Sequence, residues 1–533
     1  MQARVKNNNG IVYGEHDFSF PAHMNYGIFV VEKILQFKNK KAFVNGANGE
    51  ELTFAEMAHR IVNTAASLAE LGVKKGDIIA IVSENRSEVV IVSLAALCSG
   101  ATITFINSAY TKGEIQHVTS ISKPKYVFLS PNAYKNHYES VRAQAFVSKI
   151  LVFGDSPSTE VISYNELCRQ KAVFSSYRPV DFFGRVETAL ILYSSGTTGL
   201  PKGAKLTHTN LIAAAQQKEP CPDISMLTVA PWCNTLGYIT MMRALVNGKE
   251  VIYLQKFQEK QYLETVQKYK AQSLLVAPPL VVLLSKSSLV DKYDLSSVQV
   301  IYSGGAPLDG GVIQQVKKRL PKLHGVLQGY GMTEATGAVT EETTTDAKKD
   351  SVGKVVQGNI LKIVDVETRK TLGPGQPGEV CLNGVVLFDG YIGKAKNDDF
   401  DEDGFYRSGD IAYYDEEGYF FIIDRIKELI KYKAWQVSPA EIEAVLLEHP
   451  AVRDAGVTGV PDPLAGELPT AFVVKQPSHE VTEKDLINFV ASKVSPWKQL
   501  RGGVRFVNEI PKTGSGKILR RIIRDMLKAQ SKL

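Results

Sequence analysis

The chain alternates short apolar runs with amphipathic stretches over most of its length. The apolar runs are typical of buried strands, and the amphipathic stretches are typical of helices that cover a sheet. Strands are predicted at residues 79–82, 126–129, 150–153 and 297–302, and two of the helices at 55–71 and 311–320. Strands that alternate with helices predict parallel sheets, so we expect an α/β fold.

This pattern changes in the second half of the chain. From residue 353 to 390, short strand-like runs are separated by glycine and proline turns, of which 373–378 is the densest. Such spacing favours a small β-barrel-like region. The polar run at 341–350 predicts a solvated loop. With 533 residues the chain exceeds the about 250–300 at which one core stops growing, so at least two domains are expected.

The amino-acid composition limits the classes of protein to which the chain can belong. Hydrophobic residues make up 44% of the chain and charged residues 22%, as in ordinary soluble globular proteins. The net charge of +6 is spread along the sequence instead of forming a basic face, so no nucleic-acid partner is expected. Five scattered cysteines, an odd number, favour reduced thiols and lack metal-ligand spacing. No apolar run approaches the about 18–20 residues of a membrane span, so none is expected.

The two ends of the sequence bear on location. The first residues lack the apolar core of a signal peptide. The last three, Ser531-Lys532-Leu533, match a peroxisomal address that an import receptor reads. We therefore expect the peroxisome as the location and its import receptor as a partner. Coincidence in a lysine-rich tail is the alternative.

A glycine- and hydroxyl-rich loop at 193–203 follows the apolar run at 188–192, which predicts a buried strand. Open α/β sheets bind ligands at the carboxyl ends of their strands. Glycines let the backbone approach a ligand, while hydroxyls and a lysine suit phosphate. The sequence is not a Walker A loop, because Lys202 lies between Pro201 and Gly203. A flexible surface loop is the alternative. The phosphate-binding candidates are Ser194, Ser195, Gly196, Thr197, Thr198, Gly199 and Lys202.

This loop resembles the phosphate-binding signature of the adenylate-forming superfamily, which includes acyl-CoA synthetases, peptide-synthetase adenylation domains and beetle luciferases. Five further segments, in the order that the family has them, extend the resemblance: 303–308, 328–334, 406–411, 424–433 and 511–520. The end of the chain, from residue 424, is most similar to insect luciferases and luciferase-like acyl-CoA synthetases. The resemblance implies that ATP activates a carboxylic acid as an acyl adenylate, with release of pyrophosphate.

The resemblance also implies residue roles. Tyr330 would stack on adenine, Thr333 would contact the α-phosphate, and Glu334 would bind Mg²⁺. Asp410 and Arg425 would reach the ribose. The remaining nucleotide-site candidates are Gly305, Ala306, Pro307, Gly329 and Gly331, and the acid-pocket candidates are Trp232, Asn234, Gly304 and Gly337.

Two lysines in the C-terminal segment would act in turn. By resemblance, Lys517 neutralises charge during adenylation, and a rotation about the hinge near 424–427 then presents Lys431. The implied architecture is a large N-terminal domain at 1–424, made of parallel α/β subdomains plus the barrel-like region, and a mobile α+β domain at 425–533. The adenylate would then react either with CoA, as in a fatty or aryl acyl-CoA ligase, or with O₂, as in a luciferase.

Two departures from the family pattern bear on this second step. Asn234 stands where the family usually has histidine, and asparagine cannot take a proton near neutral pH. Ala434 and Trp435 stand where relatives commonly have glycine and a smaller aromatic, beside the route for the CoA thiol. We favour the ligase interpretation, with the luciferase as the alternative. A non-catalytic nucleotide-binding relative is a second alternative.

Overall fold

The structure is a computed structural model. It describes residues 7–15, 19–168, 180, 184–195, 201–220, 224–306, 308, 310–433, 435–477, 479–513 and 516–530.

Strands supply most of the framework. In chain order, those of the described residues are β1 (Asn7–Asn8), β2 (Ile11–Tyr13), β3 (Lys41–Asn45), β4 (Glu51–Thr53), β5 (Ile78–Val82), β6 (Thr102–Ile106), β7 (Tyr126–Leu129), β8 (Lys149–Val152), β9 (Ile162–Ser163), β10 (Thr188–Ser195), β11 (Pro201–Thr207), β12 (Met226–Thr228), β13 (Val251–Tyr253), β14 (Ser273–Val276), β15 (Val300–Gly304), β16 (Gly325–Met332), β17 (Gly337–Glu341), β18 (Lys354–Val355), β19 (Asn359–Val364), β20 (Gly378–Gly384), β21 (Tyr406–Tyr414), β22 (Phe420–Arg425), β23 (Ile430–Tyr432), β24 (Trp435–Val437), β25 (Val452–Asp462), β26 (Gly466–Lys475) and β27 (Val504–Phe506).

Helices lie between many of these strands. Those of the described residues are α1 (Tyr26–Ile34), α2 (Phe54–Glu70), α3 (Ser87–Cys98), α4 (Lys112–Ser122), α5 (Pro131–Arg142), α6 (Tyr164–Leu167), α7 (His208–Gln216), α8 (Thr235–Val246), α9 (Glu259–Tyr269), α10 (Pro278–Lys286), α11 (Gly310–Arg319), α12 (Pro439–Glu448), α13 (Glu483–Ala491) and α14 (Arg520–Gln530).

Two mixed sheets form the α/β part of the molecule. One has the strand order β11-β10-β6-β5-β7-β8-β9, and its pairs are parallel except for β10–β11. The other has the order β18-β17-β16-β15-β14-β12-β13-β3-β4, with parallel pairs from β16 to β3 and antiparallel pairs at both ends. The predicted α/β class with parallel sheets is confirmed.

A third sheet is antiparallel and runs in the order β1-β2-β19-β20-β21-β22. It occupies the place of the predicted barrel-like region but extends well beyond 353–390, since it also takes strands from the start of the chain and from 406–425. The fourth sheet, β24-β23-β26-β25 with β27 beside β26, uses only strands after residue 429 and forms the C-terminal α+β unit with α12, α13 and α14. The 424/425 domain boundary stays a prediction; it falls next to the end of β22.

Several helices and strands begin or end where short signals in the sequence predict. The predicted helix at 55–71 is α2, and it begins at a capping box in which Thr53 and Glu56 satisfy each other's backbone amides. The strand at 126–129 has the predicted bounds. Its apolar residues are buried, as continuous hydrophobic runs in parallel sheets require. The strand predicted at 297–302 instead starts at Val300 and ends at Gly304.

The polar run at 341–350 is only partly the solvated loop that the sequence predicts. Glu341 ends β17, and its carboxylate accepts hydrogen bonds from Tyr302 Oη at 2.6 Å and Arg243 Nη2 at 2.9 Å. Glu342 is buried as well. The prediction was wrong for these two residues because the fold supplies their partners. Those of Glu341 come from β15 and α8, and Glu342 accepts from the amide of Gln328 on β16 and from the hydroxyl of Ser351.

None of the helices in the described ranges is long and apolar enough to cross a membrane.

Close packing between β16 and β17 gives a test of the fold. A Cβ atom on Gly331 would lie 2.1 Å from the carbonyl oxygen of Gly337. We expect Gly331→Ala to push the two strands apart, at a cost of about 1–3 kcal/mol, and to lower the thermal unfolding midpoint. Gly113→Ala is the control, because the exposed Gly113 of α4 has open space around its Cα and helical alanine is favoured by about 0.5–1 kcal/mol. Equal midpoints for the two variants would contradict this account.

Candidate nucleotide and acid site

The predicted phosphate loop is built largely as a hairpin. Strand β10 continues to Ser195, and the return strand β11 begins at Pro201, so that Ser194 pairs with Lys202. Gly203 packs closely here, since a Cβ atom on it would lie 3.0 Å from the Ile121 side chain. The tip residues Gly196, Thr197, Thr198 and Gly199 lie outside the described residues. The structure thus fixes the base of the loop and the position of its lysine.

Lys202 and Glu334 both contact Tyr391, the lysine at its ring and the glutamate at its hydroxyl. The Lys202 ammonium lies 5.2 Å from the centre of the Tyr391 ring, and the Tyr391 hydroxyl donates to Glu334 Oε1 at 2.5 Å. Tyr391 also lies 3.1 Å, oxygen to oxygen, from Tyr406 and neighbours Ser194. Burial, with the Glu334 carboxylate beside it, raises the pKa of Tyr391, so this hydroxyl stays protonated and donates. The predicted phosphate lysine and metal carboxylate are therefore brought to one place.

Sequence reasoning missed Tyr391. It lies between the barrel-like region and the motif at 406–411, in a stretch with no recognisable pattern. Only the fold brings it against the hairpin, where it forms an isolated bridge with Ala204.

Glu334 fits a magnesium site of the kind that nucleotide enzymes use. Its side chain is buried, and carboxylate oxygens are hard ligands. Within the described ranges no group of three or more His, Cys, Asp or Glu side chains could hold a metal ion. Mg²⁺ commonly takes one or two carboxylates and completes its shell with substrate phosphates and water, so a single carboxylate beside Lys202 suits it.

The predicted ribose and adenine residues form a hydrogen-bonded set. Asp410 pairs with Arg425 across β21 and β22, with the Arg425 Nε atom 3.0 Å from Asp410 Oδ1. The Tyr330 hydroxyl donates to Asp410 Oδ2 at 2.7 Å. Burial raises the pKa of Asp410, while Arg425 and the Tyr330 hydroxyl oppose that shift. Each carboxylate oxygen keeps a further lone pair, so Asp410 can still accept from two ribose hydroxyls.

Glycines beside Tyr330 permit close strand contact. Gly304 and Gly329 are register partners on β15 and β16, and a Cβ atom on Gly329 would lie 2.5 Å from the Tyr302 hydroxyl. Gly305 has a φ of +90°, which favours glycine, and is exposed at the strand end with Ala306 half-buried beside it. Pro307 lies outside the described residues. Thr333 is half-buried and begins a single 3₁₀ turn that also contains Glu334.

The acid-pocket candidates lie around the start of α8. Asn234 is the N-cap of this helix, and its Oδ1 accepts from the amide of Gly237 at 2.9 Å. Two other candidates face the same helix, since a Cβ atom on Gly304 would contact Leu236, and one on Gly337 would contact Ile239, both at 3.4 Å. Three of the four predicted residues therefore converge on the first two turns of α8.

The fourth, Trp232, is packed in an aromatic cluster. Its ring centre lies 5.6 Å from that of Phe43 and 5.2 Å from that of Tyr253, and its side chain is buried. Its backbone amide donates to Asn85 Oδ1 at 2.9 Å. A role for Trp232 in the acid pocket stays a prediction.

Lys517 reaches the nucleotide residues from the C-terminal unit. Its amide donates to Thr513 Oγ1 at 3.1 Å, which tightens the turn that carries it. At the adjacent Gly516, a Cβ atom would lie 2.9 Å from Pro279 of α10, so this turn rests against the N-terminal sheets. Nearby, Lys286 of α10 donates to the carbonyl oxygens of Leu447 and Val452 at 3.0 and 2.8 Å. The C-terminal unit is thus docked with Lys517 facing the site.

Electrostatics place Lys517 among the ribose residues. Burial, followed by the Arg425 guanidinium, lowers the pKa of Lys517 to about 8. The carboxylates of Glu428 and Asp410 oppose this shift. The lysine is therefore near the Asp410–Arg425 pair and is charged below about pH 8.

Lys431, the second predicted catalytic lysine, lies elsewhere. Its side chain is exposed on β23, and its backbone amide donates to Glu467 Oε2 at 2.8 Å. Ala434 lies outside the described residues. Trp435 on the next strand is half exposed and stacks on Trp497 with ring centres 4.3 Å apart. The structure brings Lys517 to the site and leaves Lys431 on the surface.

Comparisons with known proteins identify the family of the chain. The model of AMP-binding enzymes matches residues 31–392, and that of the AMP-binding enzyme C-terminal domain matches residues 441–517. The chain belongs to the AMP-binding enzyme family. It is therefore an adenylate-forming enzyme, as the loop and the later motifs imply.

Relatives of this adenylate-forming enzyme include proteins with two different activities. A luciferin 4-monooxygenase from Nipponoluciola cruciata is 41% identical over 505 residues, 91% of each chain. A 4-coumarate–CoA ligase from Humulus lupulus is 35% identical over 529 residues, 96% of this chain and 95% of the relative. An anthranilate CoA ligase solved with anthranoyl-AMP has the same fold, with a TM-score of 0.88 at 23% identity over 96% of this chain and 99% of that one.

The environment of Lys517 predicts a pH dependence. The ammonium is lost as pH rises through about 8, so kcat/KM for acid-dependent pyrophosphate release should fall above that pH. Lys517→Ala should slow this reaction about 10²- to 10³-fold and abolish the alkaline fall. Lys517→Arg is the control, because arginine keeps its charge over this range and the fall should disappear or move upward. An unchanged alkaline fall in Lys517→Ala would show that another group is responsible.

Proposed function

We propose that the protein activates a fatty or aryl carboxylic acid with ATP·Mg²⁺ and then transfers the acyl group to CoA. The observation that carries the first half-reaction is the docking of Lys517 beside the Asp410–Arg425–Tyr330 set. A cation beside these residues would serve the step in which negative charge builds up between two anionic reactants.

In adenylation, a carboxylate oxygen of the acid attacks the α-phosphorus of ATP. The new O–P bond forms as the bond to the β-phosphate oxygen breaks, and pyrophosphate leaves. Lys517 and the Thr333 hydroxyl stabilise the charge on the α-phosphate oxygens, while Lys202 and the loop hydroxyls hold the departing phosphates. Catalysis then consists mainly of positioning and charge neutralisation. Glu334 would hold the magnesium ion, which supplies further charge neutralisation on the phosphates.

In the second half-reaction, the C-terminal unit would turn about the segment 424–427 and exchange Lys517 for Lys431. This proposal is supported by the contrast between the two lysines, one docked and one exposed on the same unit. The CoA thiolate would attack the acyl carbon, and AMP would leave. The 35% identity with a 4-coumarate–CoA ligase over nearly the whole chain supports this outcome and places aryl acids among the candidate substrates.

Oxidation of the adenylate by O₂ with light emission is the second candidate. The 41% identity with a luciferin 4-monooxygenase favours it, as does the bulk of Trp435 beside the proposed thiol route. In that case the adenylate would lose a proton beside its carbonyl group before O₂ adds there.

One assay separates the two candidates. The protein is incubated with ATP, Mg²⁺ and a panel of fatty and aryl acids, with and without CoA, while pyrophosphate, thioester and light are measured. We expect acid-dependent pyrophosphate release and a CoA thioester for at least one acid. Lys431→Ala should lose thioester formation about 10²-fold while it keeps pyrophosphate release, because Lys431 would act only after rotation. Oxygen-dependent light without any thioester would overturn the ligase proposal.

We also propose that the protein works in the peroxisome, addressed by Ser531-Lys532-Leu533. These residues lie outside the described residues, so the proposal rests on their sequence. A fluorescent protein fused ahead of residue 1 should co-localise with a peroxisomal marker in cells. Removal of residues 531–533 should abolish the co-localisation, and its persistence would contradict the proposed address.

A further inference from the structure

Arg520, at the start of α14, lies three residues after Lys517 and is the centre of a buried charged group. Its Nη2 atom donates to both carboxylate oxygens of Glu443, at 2.8 and 2.9 Å. Its Nε atom donates to the carbonyl oxygen of Val457 at 3.2 Å, and its Nη1 atom to Glu428 Oε2 at 3.1 Å. Arg520 therefore joins α12, β25 and the turn after β22.

Glu428 connects this group to the nucleotide site. It belongs to the turn that leaves β22, and its amide donates to the carbonyl oxygen of Arg425 at 3.0 Å. Arg425 in turn holds Asp410. The carboxylate of Glu428 thus links the turn that follows Arg425 to Arg520, on the segment that carries Lys517.

The charges around Lys517 show how Glu428 differs from Asp410, the other carboxylate that favours the ammonium. Two guanidinium groups, Arg425 and Arg520, disfavour the ammonium, and two carboxylates, Glu428 and Asp410, favour it. Asp410 is already paired with Arg425 and the Tyr330 hydroxyl. Glu428 is the acid that pairs with the segment of Lys517 itself, through Arg520.

The Glu428 contact contributes little to holding the fold together. Arg520 keeps its bidentate pair with Glu443 and its bond to Val457 when Glu428 is removed. The Glu428 side chain is 23% exposed and makes one bond to Arg520, and partly exposed ion pairs of this kind are weak. Its effect should therefore fall on the site more than on stability.

We propose that Glu428 is a positioning residue for adenylation. Through Arg520 it holds the turn at 513–517 against the segment that leaves β22, so that the Lys517 ammonium is presented to the α-phosphate. The inference concerns the adenylation half-reaction alone and does not depend on whether CoA or O₂ receives the adenylate.

Glu428→Gln tests the proposal in the full-length protein, with the acid that gives the highest pyrophosphate release in the wild type. We expect kcat for pyrophosphate release to fall about 10- to 100-fold, as for a misplaced catalytic group, with KM for ATP within about twofold. Loss of a nearby negative charge lowers the Lys517 pKa further, so the alkaline fall of kcat/KM should move to lower pH. Glu428→Asp should restore the wild-type position of that fall.

Glu441→Gln is the matched control, since Glu441 pairs with Lys498 on an exposed part of the same unit. It should leave kcat, the pH profile and the thermal midpoint unchanged. An unaltered kcat and alkaline fall in Glu428→Gln would overturn the proposal. A proportional loss of activity and thermal stability, without a shift of the alkaline fall, would show a merely structural role and would overturn it too.

Amide hydrogen exchange of the peptide that covers 512–519 gives a measurement that needs no substrate. Exchange should be faster in Glu428→Gln than in Glu441→Gln, because loss of the Glu428 charge weakens the link between Arg520, which follows this peptide, and the segment after β22. Equal exchange would overturn the proposal even if no acid in the panel is active. Lack of pyrophosphate release by the wild type would instead count against the proposed function.

Discussion

Asp410 is buried where β21 and β22 pair, and a buried carboxylate must have a positive partner or hydrogen bonds to stay charged. Arg425, its register partner, supplies the charge, and the Tyr330 hydroxyl supplies the second bond. This pair also fixes the point at which the chain leaves the N-terminal sheets, because Arg425 is the last residue of β22. The same interaction therefore shapes the predicted ribose site and holds the strand end from which the chain continues to the C-terminal unit.

The charges beyond that pair follow an alternating order. Arg425 is followed by Glu428, which meets Arg520, which meets Glu443. Burial raises the pKa of Glu443 to about 7, and Arg520 opposes this shift by favouring the ionised carboxylate. Lys517 lies beside this series and has a lowered pKa. Keeping its ammonium group charged in the docked state therefore costs free energy. A polyanionic nucleotide removes that cost, because its phosphates add negative charge beside the lysine. ATP and the docked arrangement thus favour each other by linkage.

The sequence predicted those parts of the molecule that local patterns control. The bounds of β7 and nearly those of α2 followed from an apolar run and a capping box, and the α/β class followed from their alternation. The family motifs also pointed to Lys202, Glu334, Asp410 and Lys517, whose roles stay predictions. Partners from distant segments were not predictable, because nothing near them in sequence marks them. Tyr391, which joins Lys202 to Glu334, is one case, and Glu341, buried by Arg243 and Tyr302, is another.

Asn234 stands where the family usually has histidine, and the fold limits what this asparagine can do in the acid pocket. Asparagine is among the best N-cap residues, and its Oδ1 is engaged by the amide of Gly237. For the acid pocket the side chain still offers its NH₂ group as a donor, and Oδ1 keeps a second lone pair. Asn234 can therefore stabilise a carboxylate or phosphate oxygen of the substrate, but it cannot accept a proton from the acid or its adenylate. Any deprotonation after adenylation has to use another base. An oxidation that begins with loss of a proton beside the adenylate carbonyl needs such a base. Thiol attack on the acyl carbon makes no such demand of Asn234, and a donor near the carbonyl oxygen assists it.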